Sequence, residues 1–278
     1  MVGTAAQHDF LLARAADELA DRLAIVQRRF PLAVNVGAHH GLLSRRIRGV
    51  AGVERIVDVD ATPQLLTGAV DMRVVADEEA LPFAEASIDL FVSALALQLV
   101  NDLPGALVQM RRALRPDGLL LVALLGGATL HELREAWLTA EAEISGGASP
   151  RVAPFADVRD LGALLQRAGF ALPVVDSETV TVIYADPLAL MRELKAMGAS
   201  NMLAARRRQP VTRGLVLRAA QIYADRFGGS DGRVPATFEI ITLTAWAPDA
   251  SQPQPLRPGS AQTRLADALG VKEGKLKE

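Results

Sequence analysis

The sequence predicts an α/β protein, an open doubly wound sheet of mostly parallel strands with an inserted helical cap. Three observations lead there. The stretch Leu32-Ala-Val-Asn-Val-Gly-Ala-His-His-Gly-Leu-Leu43 runs from an apolar strand through a Gly turn into a helix. Strand and helix periods alternate over the first 125 residues, the pattern of consecutive βαβ units. Residues 119–125 are apolar without alternation, as in a strand buried on both faces of a parallel sheet.

Taken in order, residues 9–29 carry Leu11, Leu12, Ala15, Leu19, Leu23 and Val26 at helical spacing and read as an amphipathic helix. Residues 32–37 are the first strand, and 42–47 open the next helix. Residues 55–60 form a second strand ending in acids, followed by Thr62-Pro63, with Thr as helix N-cap and Pro in the first turn. Residues 72–76 are a short third strand, 87–95 a fourth, 103–114 a helix closed by Arg115-Pro-Asp-Gly118, and 119–125 a fifth strand.

Beyond Gly126-Gly127 the pattern changes. Helices are expected at 129–144 and 158–168, the second stopped by Gly169. A sixth strand at 174–184 and a last one at 238–246 enclose helices at 187–197 and 211–227. Residues 1–247 are therefore read as one domain, with a cap inserted at about 185–230 over the carboxyl edge of the sheet. Residues 248–278 begin with a stretch rich in Pro, Gln and Ser and are read as a mobile tail.

Composition excludes several classes. A formal net charge of -2 and a pI near 6.1 give no electrostatic footprint for nucleic acid. No apolar run approaches the ~18 residues of a membrane span. Zero cysteines remove thiolate metal sites, disulfides and cysteine nucleophiles. The first ten residues carry Asp9 and no Arg, so a bacterial cytoplasmic setting is expected. Adjacent His39 and His40 diverge on most backbones and lack an accompanying ligand set, so no metal is assigned; His8 and His131 have no Ser/Asp partnership for a hydrolase triad.

Two constellations carry ligand chemistry. Gly37 and Gly41 are followed, about 20 residues on, by an acid on the second strand, as ribose hydroxyls require; Asp60 fits best and Asp58 is the alternative. The segment Ala76-Asp77-Glu78-Glu79-Ala80-Leu81-Pro82-Phe83 places a strand-end acid where it can accept from an exocyclic amine. Arg134 with Glu132, and Asn201 with Arg206 and Arg207, are polar positions that could face a substrate beneath the cap. Trp137 and Trp246 read as packing residues.

In order, the Gly turn, Asp60-Ala-Thr-Pro-Gln-Leu-Leu66, Ala76-Asp77 with Leu81-Pro-Phe83, Ile88-Asp-Leu-Phe-Val-Ser93 and Leu114-Arg-Pro-Asp-Gly-Leu-Leu120 resemble class I S-adenosylmethionine-dependent methyltransferases, with a Rossmann-like sheet. Further segments, among them Gly126-Gly-Ala-Thr-Leu130, Met197-Gly-Ala-Ser-Asn201 and Val234-Pro-Ala-Thr237, resemble the methyltransferase-like assembly factors of respiratory complex I (arginine-hydroxylase type) and their proteobacterial relatives. The resemblance implies S-adenosylmethionine as cofactor, with the glycine turn facing its methionine part, Asp60 on the ribose and Asp77 on the adenine amine. Asn35, Gly37, His39, Gly41, Asp60, Ala61, Asp77, Glu78 and Ser93 are the cofactor positions it implies; no catalytic residue is assigned. It also implies a protein partner, a complex I subunit, or, by the alternative likeness to malonyl-carrier-protein methyltransferases, a small carboxylate substrate.

The chain departs from the family pattern in its first motif. Asn35 replaces an acid, Ala38 another small residue and His39 the central glycine; Gln98 and Leu99 stand where relatives commonly carry His and Trp. An amide supplies no negative charge. A side chain at position 39 takes up cofactor space and is strained if the turn demands positive φ. A pseudo-enzyme scaffold that has lost the cofactor is the third reading.

Overall fold

The computed structural model describes residues 7–147, 149–253, 267 and 270. Seven strands form one sheet in the order β3-β2-β1-β4-β5-β7-β6. β1 (Leu32–Val36), β2 (Arg55–Asp60), β3 (Met72–Val75), β4 (Ile88–Ala94) and β5 (Leu114–Leu125) pair in parallel. β7 (Val234–Trp246) runs antiparallel between β5 and β6 (Ala171–Tyr184).

Predominantly apolar strands make this possible, because each central strand buries both faces. Alternate residues of β4 and β5 divide between two cores. Phe91, Leu120, Val122 and Leu124 pack with α3 (Leu103–Ala113) and α5 (Val158–Arg167). Leu90, Val92, Leu119 and Leu121 pack on the other face with α1 (Phe10–Ala24) and α2 (Leu42–Ile47).

Helix α1 is shorter than its apolar spacing predicts: it ends at Ala24, and Ile25 is 80% exposed. Pro31 disfavours helical backbone at Phe30, and the chain must turn before entering β1. Thr62 corrects a second expectation. The segment it introduces, Pro63–Gly68, is a 3-10 helix, and the Thr62 side chain caps nothing. Instead the Thr62 N–H donates to Asp60 Oδ1 at 2.8 Å.

β6 and β7 begin earlier than expected, and together they outrun the sheet. β7 pairs with β5 only up to Ile240 opposite Leu125, whereas Thr179↔Glu239 through Tyr184↔Val234 continue as a two-stranded ribbon beyond the carboxyl edge. A third core lies there. Leu190 and Leu194 of α6 (Pro187–Ala196) and Leu215, Ala219 and Tyr223 of α7 (Arg213–Phe227) pack with Phe238 and with Leu133, Ala136 and Trp137 of α4 (His131–Ser145). Helix α4 thus shares the core of the two late helices.

The chain divides into compact units at Met1–Pro248 and Asp249–Glu278. In the second, Asp249 accepts from Gln252 N at 3.2 Å and, through Oδ1, from Ser251 N at 2.8 Å. Most of the tail expected at 248–278 lies outside the described residues.

Candidate functional site

The strand order reverses between β1 and β4, so their carboxyl ends flank a switch-point crevice, where open α/β sheets bind ligands. The turn after β1 is left-handed at three positions: Gly37 at φ +65°, His39 at +50° and Gly41 at +74°. Close approach explains both glycines. A Cβ on Gly37 would stand 2.1 Å from the Ala96 Cβ, and one on Gly41 would stand 2.2 Å from the Gly68 carbonyl oxygen. The turn is also stapled to β2, since Ala38 N donates to Val59 O at 2.9 Å.

Beneath the turn lies a buried polar network. Asn35 and Asp58 are register partners on β1 and β2 and are 1% and 0% exposed. Asn35 Nδ2 donates to Asp58 Oδ1 at 3.0 Å and to Ser44 Oγ at 2.9 Å, Ser44 Oγ donates to Asp58 Oδ1, and Val70 N donates to Asp58 Oδ2 at 3.2 Å. Burial raises the Asp58 pKa, opposed by the Ser44 and Asn35 hydrogen bonds.

Asp60, two residues on and hence on the same side of the strand, lies at the edge. Its Oδ2 accepts from His39 N at 3.1 Å and its Oδ1 from Thr62 N. Each oxygen keeps acceptor capacity for a ligand. The Asp77 carboxylate accepts from Glu79 N at 2.8 Å, and Glu79 Oε1 accepts from Asn101 N and, at 3.1 Å, from Asp102 N.

Glu78 leans over the turn, its Oε1 3.8 Å from the place of a Cβ on Gly37. Burial raises its pKa, and the carboxylates of Asp60, Asp77 and Glu79 add to the shift. Among the described residues no cationic side chain pairs with any of these four acids. The rim is therefore electrostatically incomplete and suits a cation.

The His39 imidazole is partly buried against the backbone of Ala94 and Leu95 at the end of β4. Burial lowers its pKa, opposed by Asp60 and those backbone groups, which makes it a neutral ring in the crevice. His40 turns the other way, with Nε2 3.1 Å from Asp9 Oδ2, and His8 Nδ1 lies 3.0 Å from Glu193 Oε1. Among the described residues, Ser93 Oγ near the end of β4 and Gln98 Oε1 in the 3-10 turn Leu97–Leu99 that follows are buried polar atoms with no hydrogen-bond partner.

A methyltransferase domain model matches residues 34–122, the portion that builds this edge. Over 275 residues the chain is 40% identical to arginine-hydroxylase NDUFAF5, mitochondrial, of Danio rerio, covering 97% of this chain and 84% of that protein. The chain belongs to the class I S-adenosylmethionine-dependent methyltransferase family. Within this family it is also 38% identical over 239 residues to the malonyl-[acyl-carrier protein] O-methyltransferase of Halorhodospira halophila, covering 83% of this chain and 79% of that one. The crystal structure of a putative methyltransferase from Bacillus halodurans superposes with a TM-score of 0.59 at 16% identity, covering 84% of this chain and 99% of that one. The methyltransferase fold is thus shared.

In this methyltransferase-family chain Gly37, His39, Gly41, Asp60 and Glu78 converge on one edge, with Asp77 and the exposed Ala61 beside them. Asn35 lies below, its amide engaged internally. Sequence reasoning missed Ala96 and Gly68, whose close packing requires the two glycines; neither carries a local signal. Glu132 is not a substrate-facing group: it is 2% exposed and accepts from Thr237 Oγ1 and, at 3.3 Å, from Thr237 N. Asn201 Nδ2 donates to Pro150 O at 2.8 Å, Arg206 to Leu203 O at 2.9 Å and Arg207 to Gln209 Oε1 at 3.2 Å, local contacts of a surface segment. Arg134 of that set lines a cavity.

Proposed function

We propose that this edge binds S-adenosylmethionine and that the protein modifies or assembles a subunit of respiratory complex I. The observation carrying the cofactor reading is the uncompensated acidic rim. A sulfonium cation and an ammonium group would complete the charge of Asp60, Asp77 and Glu78. When bound, the cofactor supplies an electrophilic methyl group. Asp60 would hold the ribose and Asp77 the adenine amine. The turn of Gly37, His39 and Gly41 would pack against the methionine part, its His39 and Gly41 N–H groups already donated to Asp60 Oδ2 and Ala38 O, with Ala61 and Ser93 flanking and Asn35 supporting from below. Gln98 Oε1 is an available acceptor at the same edge. The complex I reading draws on similarity to the arginine-hydroxylase over nearly the whole chain. The bacterial relative supports a bacterial cytoplasmic setting.

Similarity to the carrier-protein methyltransferase favours a second reading, transfer of the methyl to an acyl carboxylate. Calorimetry of the full chain with S-adenosylmethionine and with S-adenosylhomocysteine decides whether there is an enzyme to assign. The sulfonium compound binds more tightly, and Asp60→Asn weakens it by about tenfold or more, the loss of a charge-assisted hydrogen bond. Its affinity rises with pH as Glu78 ionises. Absence of heat with both ligands at sub-millimolar concentration would leave the scaffold reading. If binding occurs, label transfer from methyl-labelled cofactor to a malonyl carrier protein would favour the second reading.

A further inference from the structure

A cavity of about 410 Å³ opens between α4 and the segment 149–155. Its walls include Trp137 and Leu138 from α4 with Val152, Pro154 and Phe155, and Gly127 and Arg134 also line it. None of the acids of the switch-point rim lines it. The size and apolar lining are those of a small-molecule site.

Two guanidinium groups reach this cavity, and they differ in charge balance. Arg151 donates to the buried Glu141 through Nε at 2.8 Å and through Nη2, and its guanidinium carbon stands 5.0 Å from the Trp137 ring centroid. Its charge is neutralised and its position fixed. Arg134 donates only to carbonyl oxygens: Gly127 O at 3.3 Å from both Nη1 and Nη2, and Thr129 O at 3.1 Å. Among the described residues no carboxylate pairs with Arg134.

The acids of α4 are already committed. Glu132 is held by Thr237, Glu135 by Arg226, Glu141 by Arg151 and Glu143 by Arg218. The cavity therefore carries one uncompensated positive charge in an apolar surround. A partly buried guanidinium with no carboxylate partner favours an anion, and its planar fork matches a carboxylate. The same charge repels a ligand's guanidinium or ammonium group.

We propose that this cavity is a binding site for a small monocarboxylate with an apolar body, anchored on Arg134. It is independent of the cofactor reading and stands or falls separately. Octanoate is the probe and octan-1-ol its uncharged counterpart. In the full chain carrying Trp246→Phe, Trp137 is the sole tryptophan and reports occupancy by fluorescence. Octanoate produces a saturable change, and octan-1-ol binds about tenfold more weakly or worse. Arg134→Met weakens octanoate by a similar factor without changing octan-1-ol, whereas Arg134→Lys retains part of the difference. Val152→Phe fills the cavity, leaves the charge, and abolishes both signals; this arm decides the matter if Arg134→Met fails to fold. Equal binding of acid and alcohol, unchanged octanoate affinity in Arg134→Met or Val152→Phe, or no saturable signal would overturn the proposal.

Discussion

Asn35 Nδ2 and Asp58 Oδ1 face each other across β1 and β2 at 3.0 Å, with Ser44 bonded to both. An acid at position 35 would set a second carboxylate against Asp58 in a buried site, and one of the pair would have to remain protonated. The amide is thus the complement of an acid carried by the neighbouring strand. Asn35→Asp is expected to cost about 3–5 kcal/mol at neutral pH, the scale of an uncompensated buried charge. Asn35→Asp with Asp58→Asn returns one acid and one amide to the site and recovers most of that loss. Urea denaturation of the single and double variants checks this; a double variant no more stable than Asn35→Asp would refute the pairing.

His39 stands at φ +50°, a conformation that costs a non-glycine residue about 1 kcal/mol, and its ring occupies the crevice. Because burial lowers its folded-state pKa from 6.5, the unfolded imidazole binds a proton first as pH falls. The His39 contribution to stability is thus lost from about pH 6.5 downward. His39→Gly should gain stability relative to the parent on going from about pH 7.5 to about pH 5.5, measured as the difference in Tm. It should also tighten S-adenosylmethionine binding by clearing the crevice. A pH-independent Tm difference would show that the ring is not buried in solution.

Among the elements, helix α4 is where local sequence was least informative. Its apolar spacing identifies a helix, but nothing local marks which of its four acids is a structural clasp. Glu141 is 1% exposed and clasps the segment beyond the helix, accepting from Ser149 N at 2.5 Å and from Arg151. Burial opposes ionisation, but those hydrogen bonds and the Arg151 charge outweigh it and hold the carboxyl below its ordinary value. Glu141→Ala is expected to cost about 1–3 kcal/mol at neutral pH. The cost shrinks as pH falls through the carboxylate range, because the contribution of a depressed acid is lost on protonation. Thermal melts across that range test it; a cost that does not vary with pH would place Glu141 outside the clasp.

The strands show the opposite case. β5 was legible because residues 119–125, buried on both faces, form a continuous apolar run, and β1, β2 and β4 because they are short, mostly apolar segments between turn and helix signals. The start of β7 was harder to read, since Pro235 interrupts it. That proline lies in the ribbon, where β7 has β6 on one side and no β5 on the other, an edge position that tolerates a missing N–H.

For the whole molecule, the sequence alone determined the succession of strands and helices, the parallel sheet and the glycine turn at its switch point. These follow from periodicity and chain punctuation, which are local. The tertiary structure decided which acid does what: Asp58 is sealed beneath the turn while Asp60 holds the rim, although they stand two residues apart on one strand. It also decided that Arg134 lines a cavity while Glu132 turns into the core, and that Arg22 on α1 bonds Asp176 on β6 at 2.6 Å across 154 residues of chain. A polar side chain's role depends on which partner the fold brings within about 3 Å, and hydrophobic spacing carries no record of that partner.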